Sequence, residues 1–226
     1  MKKNGDMKKK AFTLAEVLLT LSIIGVVAAM TLPILIKNYQ KHVLVNQLKK
    51  SYSVISQIFQ KMMADEGVEK FEDLAFFVKL RGACNISQGE NSCDSIMKKY
   101  AQTVKSEYLL FNGGKHYYKV ETPNGTKEEY LYSGYYYYME LADGAQLWIG
   151  GFNKPYIQNV YVDVNGNKGP NTMNRDFYHL QLNGTKITGD TPYCYEEEYS
   201  HGSMICTNGV SRGLDRIIAD GWKMNY

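Results

Sequence analysis

The sequence is short of the patterns that carry enzyme chemistry. Its four histidines, His42, His116, His179 and His201, are scattered, and no H-E-x-x-H run sets two imidazoles on one helical face. No G-x-x-x-x-G-K-[ST] loop is present to cradle phosphates. There are only four cysteines, none at the C-x-x-C spacing of zinc and redox sites. Internal repeats and low-complexity linkers are also missing. Charge is absent over one long stretch: from Ala11 to Ile36 the only charged side chain is Glu16. These gaps argue against an enzyme and move attention to the N-terminus.

The chain has 226 residues, enough for one modest domain with a real core plus an extra element. Its hydrophobic content of 44% and charged content of 22% exclude disorder as the default. The formal charge is +3, but Lys2, Lys3, Lys8, Lys9 and Lys10 stand against Asp6 alone in the first eleven residues. Without that leader the chain is within one charge of neutral. Bulk nucleic-acid binding therefore has no electrostatic support.

The run AFTLAEVLLTLSIIGVVAAMTLPILI crosses a hydrocarbon core of roughly 30 Å at about 1.5 Å per helical residue. A secretory signal peptide has a shorter apolar region followed by a small-x-small cleavage site, whereas this run continues past Pro33 into an amphipathic pattern. Lysines precede it, so the positive-inside rule puts the N-terminus in the cytoplasm and the body outside. Glu16 is costly inside a membrane. It either snorkels to the headgroups or finds a partner.

The segment K-K-K-A-F-T-L-A-E-V-L resembles the prepilin processing motif of type IV pilins and type II secretion pseudopilins. Lys8 to Lys10, Ala11, Phe12 and Glu16 hold the places of its basic leader, small residue, aromatic and conserved acid, with Ala11 where glycine is commoner. Gly25 and Pro33 fall where pilin helices carry a glycine and a kinking proline. The resemblance implies that a membrane-embedded prepilin peptidase cuts between Ala11 and Phe12 and methylates the new amine. It further implies that Glu16 meets the Phe12 amine of a neighbouring subunit, a pairing strengthened by low dielectric. The implied partners are other pilin or pseudopilin subunits, the peptidase and an inner-membrane assembly platform.

Beyond Pro33, Leu44, Leu48, Tyr52, Ile55, Phe59 and Met62 recur at spacings of three and four, the stripe of a helix lying on a core. Pro33 should kink the long helix. Val68–Leu80 and Asp94–Tyr100 read as further helices. From Tyr108 the texture becomes β, with strands expected at Lys115–Glu121, Lys127–Ser133, Tyr135–Leu141, Leu147–Gly150, Ile157–Val164 and Phe177–Leu182. Asp143-Gly144 and Asn183-Gly184 are hairpin signals. A tail, Leu214 to Trp222, would dock back through Trp222. The expected fold is α+β: a long kinked N-terminal helix packed on an antiparallel β-sheet head. Its parts are a leader at 1–11 that is removed, a transmembrane and assembly half at 12–36, an amphipathic half at 37–64, and a head at 65–226.

Three features of the head carry narrower expectations. Cys84 with Cys93, and Cys194 with Cys206, each close a short loop, which fits two disulfides in an oxidising compartment; four buried thiols are the alternative. Among nineteen tyrosines, Tyr135–Tyr138 invite a role in glycan or partner contacts. On a strand, however, two of them would pack inward and two would lie on the sheet surface. Finally, Asp163, Asn165, Asn167 and Asp176 offer hard oxygens around tight glycine turns and loosely resemble calcium loops of some pseudopilins. The stretch is not an EF-hand, because Lys168 and Asn174 stand where the turn glycine and the bidentate carboxylate belong. Asn-Gly and Gly-Pro also make turns without any metal. No other cofactor is expected.

The functional expectation is a non-enzymatic structural subunit of a type IV pilus or type II secretion pseudopilus. It would be held in the cytoplasmic membrane by one span before entering a cell-envelope or extracellular filament. The alternatives are a minor pilin displayed as an adhesion or DNA-uptake module and an anchored exported domain that never polymerises.

Overall fold

A computed structural model describes residues 12–80, 92–111, 118–121, 127–130, 134–151, 158–166, 168–169, 171–189, 197–200, 203–206 and 213–225. The chain divides between Lys41 and His42 into two compact units. One 53-residue helix, α1 (Leu14–Glu66), contributes to both and runs through Pro33 without ending there.

In the first unit α1 is apolar on every side from Val17 to Ile36, and among the described residues nothing buries it. Leu18, Leu21, Ile24, Val27, Met30 and Leu35 are all exposed. The span is long and apolar enough to cross a membrane. Its hydroxyls are satisfied internally: Thr20 donates to the Val17 carbonyl at 2.9 Å, Ser22 to Leu18 at 2.8 Å and Thr31 to Val27 at 2.9 Å. A polar group without a partner in hydrocarbon costs several kcal/mol, roughly, so this back-bonding suits a helix bathed in lipid.

In the second unit α1 becomes one-sided. Leu44, Val45, Leu48, Ile55, Ile58, Phe59 and Met62 are buried, as the sequence stripe implies, and Tyr52 is half-buried against them. The helix closes on Gly67 at φ +66°, with the Val68 amide donating to the Met63 carbonyl at 3.1 Å. That bond is the six-to-one closure of a Schellman motif, and the left-handed position is one glycine adopts without strain.

Val68–Leu80 is not the single helix expected. Phe71–Asp73 forms one 3-10 turn, Leu74 leaves helical geometry at ψ 132°, and α2 begins afterwards (Ala75–Leu80). The break lets Phe71, Leu74, Phe76 and Phe77 all reach the core. Phe59 packs on Phe71 and on Phe77 with ring centroids at 5.9 and 5.4 Å. Helix α3 (Cys93–Lys98) matches its sequence signal, with Ser92 as cap accepting the Ser95 amide.

The strands are β1 (Thr103–Phe111), β2 (Tyr118–Glu121), β3 (Lys127–Tyr130), β4 (Gly134–Leu141), β5 (Gln146–Gly151), β6 (Gln158–Asp163), β7 (Phe177–Asn183), β8 (Lys186–Gly189), β9 (Glu197–Ser200) and β10 (Ser203–Cys206). Six of them form an antiparallel sheet in the order β1-β4-β5-β6-β7-β8, while β2–β3 and β9–β10 are separate hairpins. The fold is α+β, a helix packed on an antiparallel head, as expected. Both hairpin signals hold. Asp143-Gly144 joins β4 to β5, and Gly184, at φ +59°, occupies the first turn position between β7 and β8. The sequence expectation names no strand at β1, β8, β9 or β10, although it puts the onset of β texture at Tyr108, inside β1.

The tyrosine run departs from expectation. Tyr137 faces the main core on the α1 side, and Tyr136 and Tyr138 point to the opposite face, but all three are buried. The outer face holds a second apolar cluster of Val120, Tyr136, Tyr138, Trp148, Met173 and Phe177. The β2 end and the 171–173 segment bring it cover: the Glu121 amide donates to Asn171, and Met173 donates back to Glu121 at 2.9 Å. Sheet alternation is as read; the second face is a core as well as a surface.

Candidate functional site

Helix α1 begins with a reciprocal cap. Phe12 and Thr13 lie outside the helix, and the Thr13 carbonyl accepts the first intrahelical bond, from Val17 at 3.2 Å. The Thr13 backbone amide donates to Glu16 Oε2 at 2.8 Å, and its hydroxyl donates to the same oxygen at 2.9 Å. In return the Glu16 amide donates to Thr13 Oγ1 at 3.2 Å. This is a capping box, which satisfies amides that no preceding turn can reach. Glu16 therefore has a local partner, a third possibility beside snorkelling and intersubunit pairing. Its signal in the sequence is Thr13-Leu14-Ala15-Glu16 ahead of an apolar run, a capping pattern outside the expectations stated for Glu16.

Phe12 is 85% exposed. Ala11 and the basic leader lie outside the described residues, so the structure places one side of the expected scissile bond. Among the described residues nothing lies within 4 Å of a Cβ added at Gly25, so packing among them gives no reason for a glycine there.

The loop after β6 gathers most of its predicted residues. Asp163 and Asp176 are both buried, and Asn165 lies between them: its amide donates to Asp163 Oδ1 at 3.1 Å, and its Nδ2 donates to Asp176 Oδ2 at 3.3 Å and to the Lys168 carbonyl at 2.8 Å. Thr172 donates its amide to Asp176 Oδ1. Burial pushes the Asp176 carboxyl above its ordinary range, against the opposing pull of those donors. Among the described residues, the buried Asn165 Oδ1 has no hydrogen-bond partner. Hard oxygens are the donors a calcium ion takes, and that orphaned oxygen fits one. Against this, the carboxylate oxygens named here already accept protein N–H groups, which closes the loop by turn chemistry alone. Asn167 lies outside the described residues, and among those described no group of three or more His, Cys, Asp or Glu side chains converges as metal ligands.

The loop also meets the tail. Asn174 Oδ1 sits 2.9 Å from where a Cβ on Gly213 would fall, and Gly213, at φ +113°, precedes α4 (Leu214–Ala219). Asp215 Oδ1 accepts the Gly189 amide at 2.8 Å, and Trp222 meets Tyr52 edge-on at 5.7 Å. The tail docks back, but Trp222 packs on the amphipathic half of α1 through Tyr52, and the bond to the sheet is made by Asp215.

Near α3, Asp94 accepts hydrogen bonds from the Tyr137 hydroxyl at 2.9 Å and from Ser106, and pairs with Lys98. Burial raises its pKa, but the donors from Lys98, Ser106 and Tyr137 outweigh that and hold it below the usual carboxylate range. The buried Tyr137 hydroxyl is pushed upward, by desolvation first. Cys93 opens α3 and is buried. Cys84 and Cys194 lie outside the described residues.

One enzyme-like pattern does occur in the sequence. Gly209-Val210-Ser211-Arg212-Gly213 has the G-x-S-x-G spacing of a nucleophile elbow, between β10 and α4. Such an elbow sits atop an α/β-hydrolase sheet with histidine and acid partners. Here the preceding strand belongs to a two-stranded antiparallel hairpin, and Ser211 lies outside the described residues.

A family model described as the prokaryotic N-terminal methylation motif matches residues 6–32. That motif is the prepilin-type cleavage and methylation motif of type IV pilins and pseudopilins. No curated protein and no solved structure matches the chain.

Proposed function

From a chain that bears the prepilin-type methylation motif at residues 6–32, we propose a structural subunit of a bacterial type IV pilus or type II secretion pseudopilus. The observation that carries this is α1 itself: a motif-bearing helix whose first half is apolar all round, exposed, and internally satisfied at every described hydroxyl. Such a surface needs lipid first and other helices of its kind afterwards. The motif and the apolar helix fit a membrane-anchored precursor.

In detail, a prepilin peptidase removes the leader between Ala11 and Phe12 and methylates Phe12. The leader lysines keep the N-terminus inside and the head outside. Glu16 then accepts the Phe12 amine of a neighbouring subunit as the helices stack. The test is N-terminal mass spectrometry on membrane and filament material. A mature chain beginning at methylated Phe12 is expected; one still beginning at Met1 in assembled material overturns the proposal.

Two further assignments belong to the head. Cys84–Cys93 and Cys194–Cys206 are the proposed disulfides; the first is supported by the burial of Cys93 at the start of α3. Calcium at Asp163, Asn165 and Asp176 is supported by two buried carboxylates and the orphaned Asn165 Oδ1. Bound there, the ion would offset the carboxylate charge in a desolvated loop. A displayed binding role gains nothing from the tyrosine run, since Tyr136, Tyr137 and Tyr138 are buried.

A further inference from the structure

We propose that Lys37 and Lys41, with Tyr39 between them, form a collar on α1 that binds the phosphates of anionic lipid headgroups where the helix leaves the membrane. The proposal rests on the reading of residues 12–36 as a membrane span and adds the partner met at the outer end of that span.

Residues 14–36 of α1 rise about 34 Å at about 1.5 Å each, a little more than a hydrocarbon core of roughly 30 Å. Lys37 is the first charged residue after Glu16, and it falls at the start of the far headgroup layer. Tyr39 lies about 3 Å and Lys41 about 6 Å further along the axis, within the roughly 5–8 Å depth of that layer. Tyr39 is 68% exposed. A tyrosine at this level suits the boundary between lipid and water, its ring in the apolar edge and its hydroxyl among the headgroups.

Over residues 17–64 α1 carries no acid, so Lys37 and Lys41 have no carboxylate within reach on their own helix. The lysines further along are taken up inside the head. Lys49 lies over the Trp222 ring, Lys50 pairs with Asp143 at 2.8 Å, and Lys61 lies over the Tyr100 ring. Lys37 is exposed and, among the described residues, has no ion pair. Lys41 follows it by one turn, so the two side chains leave the helix on one side with Cβ atoms about 6 Å apart. Two cations on one face at headgroup depth, with no acid on the helix to answer them, fit a lipid phosphate that carries net negative charge. A zwitterionic headgroup brings its own cation and gains less.

Lysines held at the phosphates resist both deeper insertion and withdrawal. A membrane richer in anionic lipid therefore holds the subunit at this depth more firmly, and leaving it for a filament requires these contacts to be exchanged.

The experiment uses the full-length chain reconstituted in vesicles of phosphatidylcholine and phosphatidylglycerol, each batch carrying a trace of one photoreactive lipid. The photogroup sits in the headgroup of either lipid or in an acyl chain, and crosslinks are mapped by mass spectrometry. Residues 36–43 are expected to capture the phosphatidylglycerol headgroup probe about fivefold or more over the phosphatidylcholine one, the scale of one lysine near an anionic surface. Lys37→Gln with Lys41→Gln should bring that ratio close to one. Lys37→Arg with Lys41→Arg should keep it within about twofold of the natural chain. Replacing chloride by inorganic phosphate at equal ionic strength should leave the ratio in place. A ratio near one in the natural chain, or one unchanged by the double glutamine variant, would overturn the collar. So would a ratio lost to inorganic phosphate, because the pair would then bind free phosphate rather than lipid. The acyl-chain label judges the span separately: no crosslinks on residues 17–35 removes the membrane reading itself, whereas crosslinks there beside a headgroup ratio near one remove only the collar.

Discussion

Residues 14–41 and 42–66 share one helix, yet Ile24 in the first stretch is 63% exposed and Ile55 in the second is 1% exposed. The same residue type, in the same secondary structure, is left out in one unit and sealed in the other. What differs is the polar remainder. From Leu14 to Ile36 the first stretch confines polarity to hydroxyls that bond back to their own helix and to a capped Glu16, with lysines entering only from Lys37; the second carries lysines on the face away from its stripe. Propensity is common to both. The medium each half is made for is set by the residues around the apolar ones.

Substitution should separate the halves most strongly in the core of the head. Phe59→Ala removes a ring packed on Phe71 and Phe77 and should cost about 3–5 kcal/mol of head stability, read by denaturant unfolding of the detergent-solubilised chain. Ile24→Ala should leave the same unfolding curve within about 0.5 kcal/mol. A large shift from Ile24→Ala would mean that the first stretch packs on something within the molecule. Ile24→Arg tests the other side of the comparison. It should oppose membrane insertion by about 2.5–3.5 kcal/mol, seen as chain lost from the membrane fraction, while the head of the remaining molecules melts unchanged.

How much of this was legible follows the same divide. The first stretch could be read almost residue by residue, because a membrane span and a processing motif are local patterns. Thr13 lies outside that reading despite its three-residue spacing to Glu16, because an acid in an apolar run points first to lipid and to neighbours. In the head, turn chemistry placed both main hairpins. Val68–Leu80 reads as one helix because Phe71, Phe76, Phe77 and Leu80 mimic helical periodicity; the break at Leu74 is a tertiary outcome, made where the chain turns four large side chains into one core. The burial of Tyr136 and Tyr138 was unreadable for a similar reason. Alternation tells which face a side chain takes, but the cover on that face comes from Val120 and Met173, remote in sequence.

Smaller effects sharpen the account of the head through its carboxylates. Asp94 has its pKa lowered in the fold, so it contributes stability above the ordinary carboxylate pKa of about 3.9, lost as pH falls through the depressed folded value. Asp176 has its pKa raised, so its effect has the opposite sign: stability falls as pH rises from about 3.9 through the raised folded value. Melting curves across the acid range should therefore lose part of their acid-side drop in Asp94→Asn. If Asp94→Asn leaves that drop unaltered, the bonds from Tyr137, Ser106 and Lys98 add nothing to the fold.

The smallest expected effect is that of calcium. At about 10⁻⁴–10⁻³ M affinity, a few millimolar of the ion should raise the melting temperature by a few degrees at most, and Asp163→Ala should abolish the rise. Equal melting with calcium and with chelator leaves the loop as turn chemistry.

The docking of α4 on β8 bears on how such a molecule avoids unwanted company. An outer strand of a sheet offers unpaired amides and carbonyls to any extended chain that comes near, and crowding many identical heads together multiplies those encounters. Here the Gly189 amide, at the end of the last strand, is already taken by Asp215, and a Cβ on Gly189 would fall 3.1 Å from the Asp215 nitrogen. The helix closes that end of the edge at van der Waals distance, leaving no room for another strand beside it. Sideways fusion of heads by shared β-structure is thereby blocked at this point, and contact between subunits is steered toward surfaces that do not require the sheet to grow.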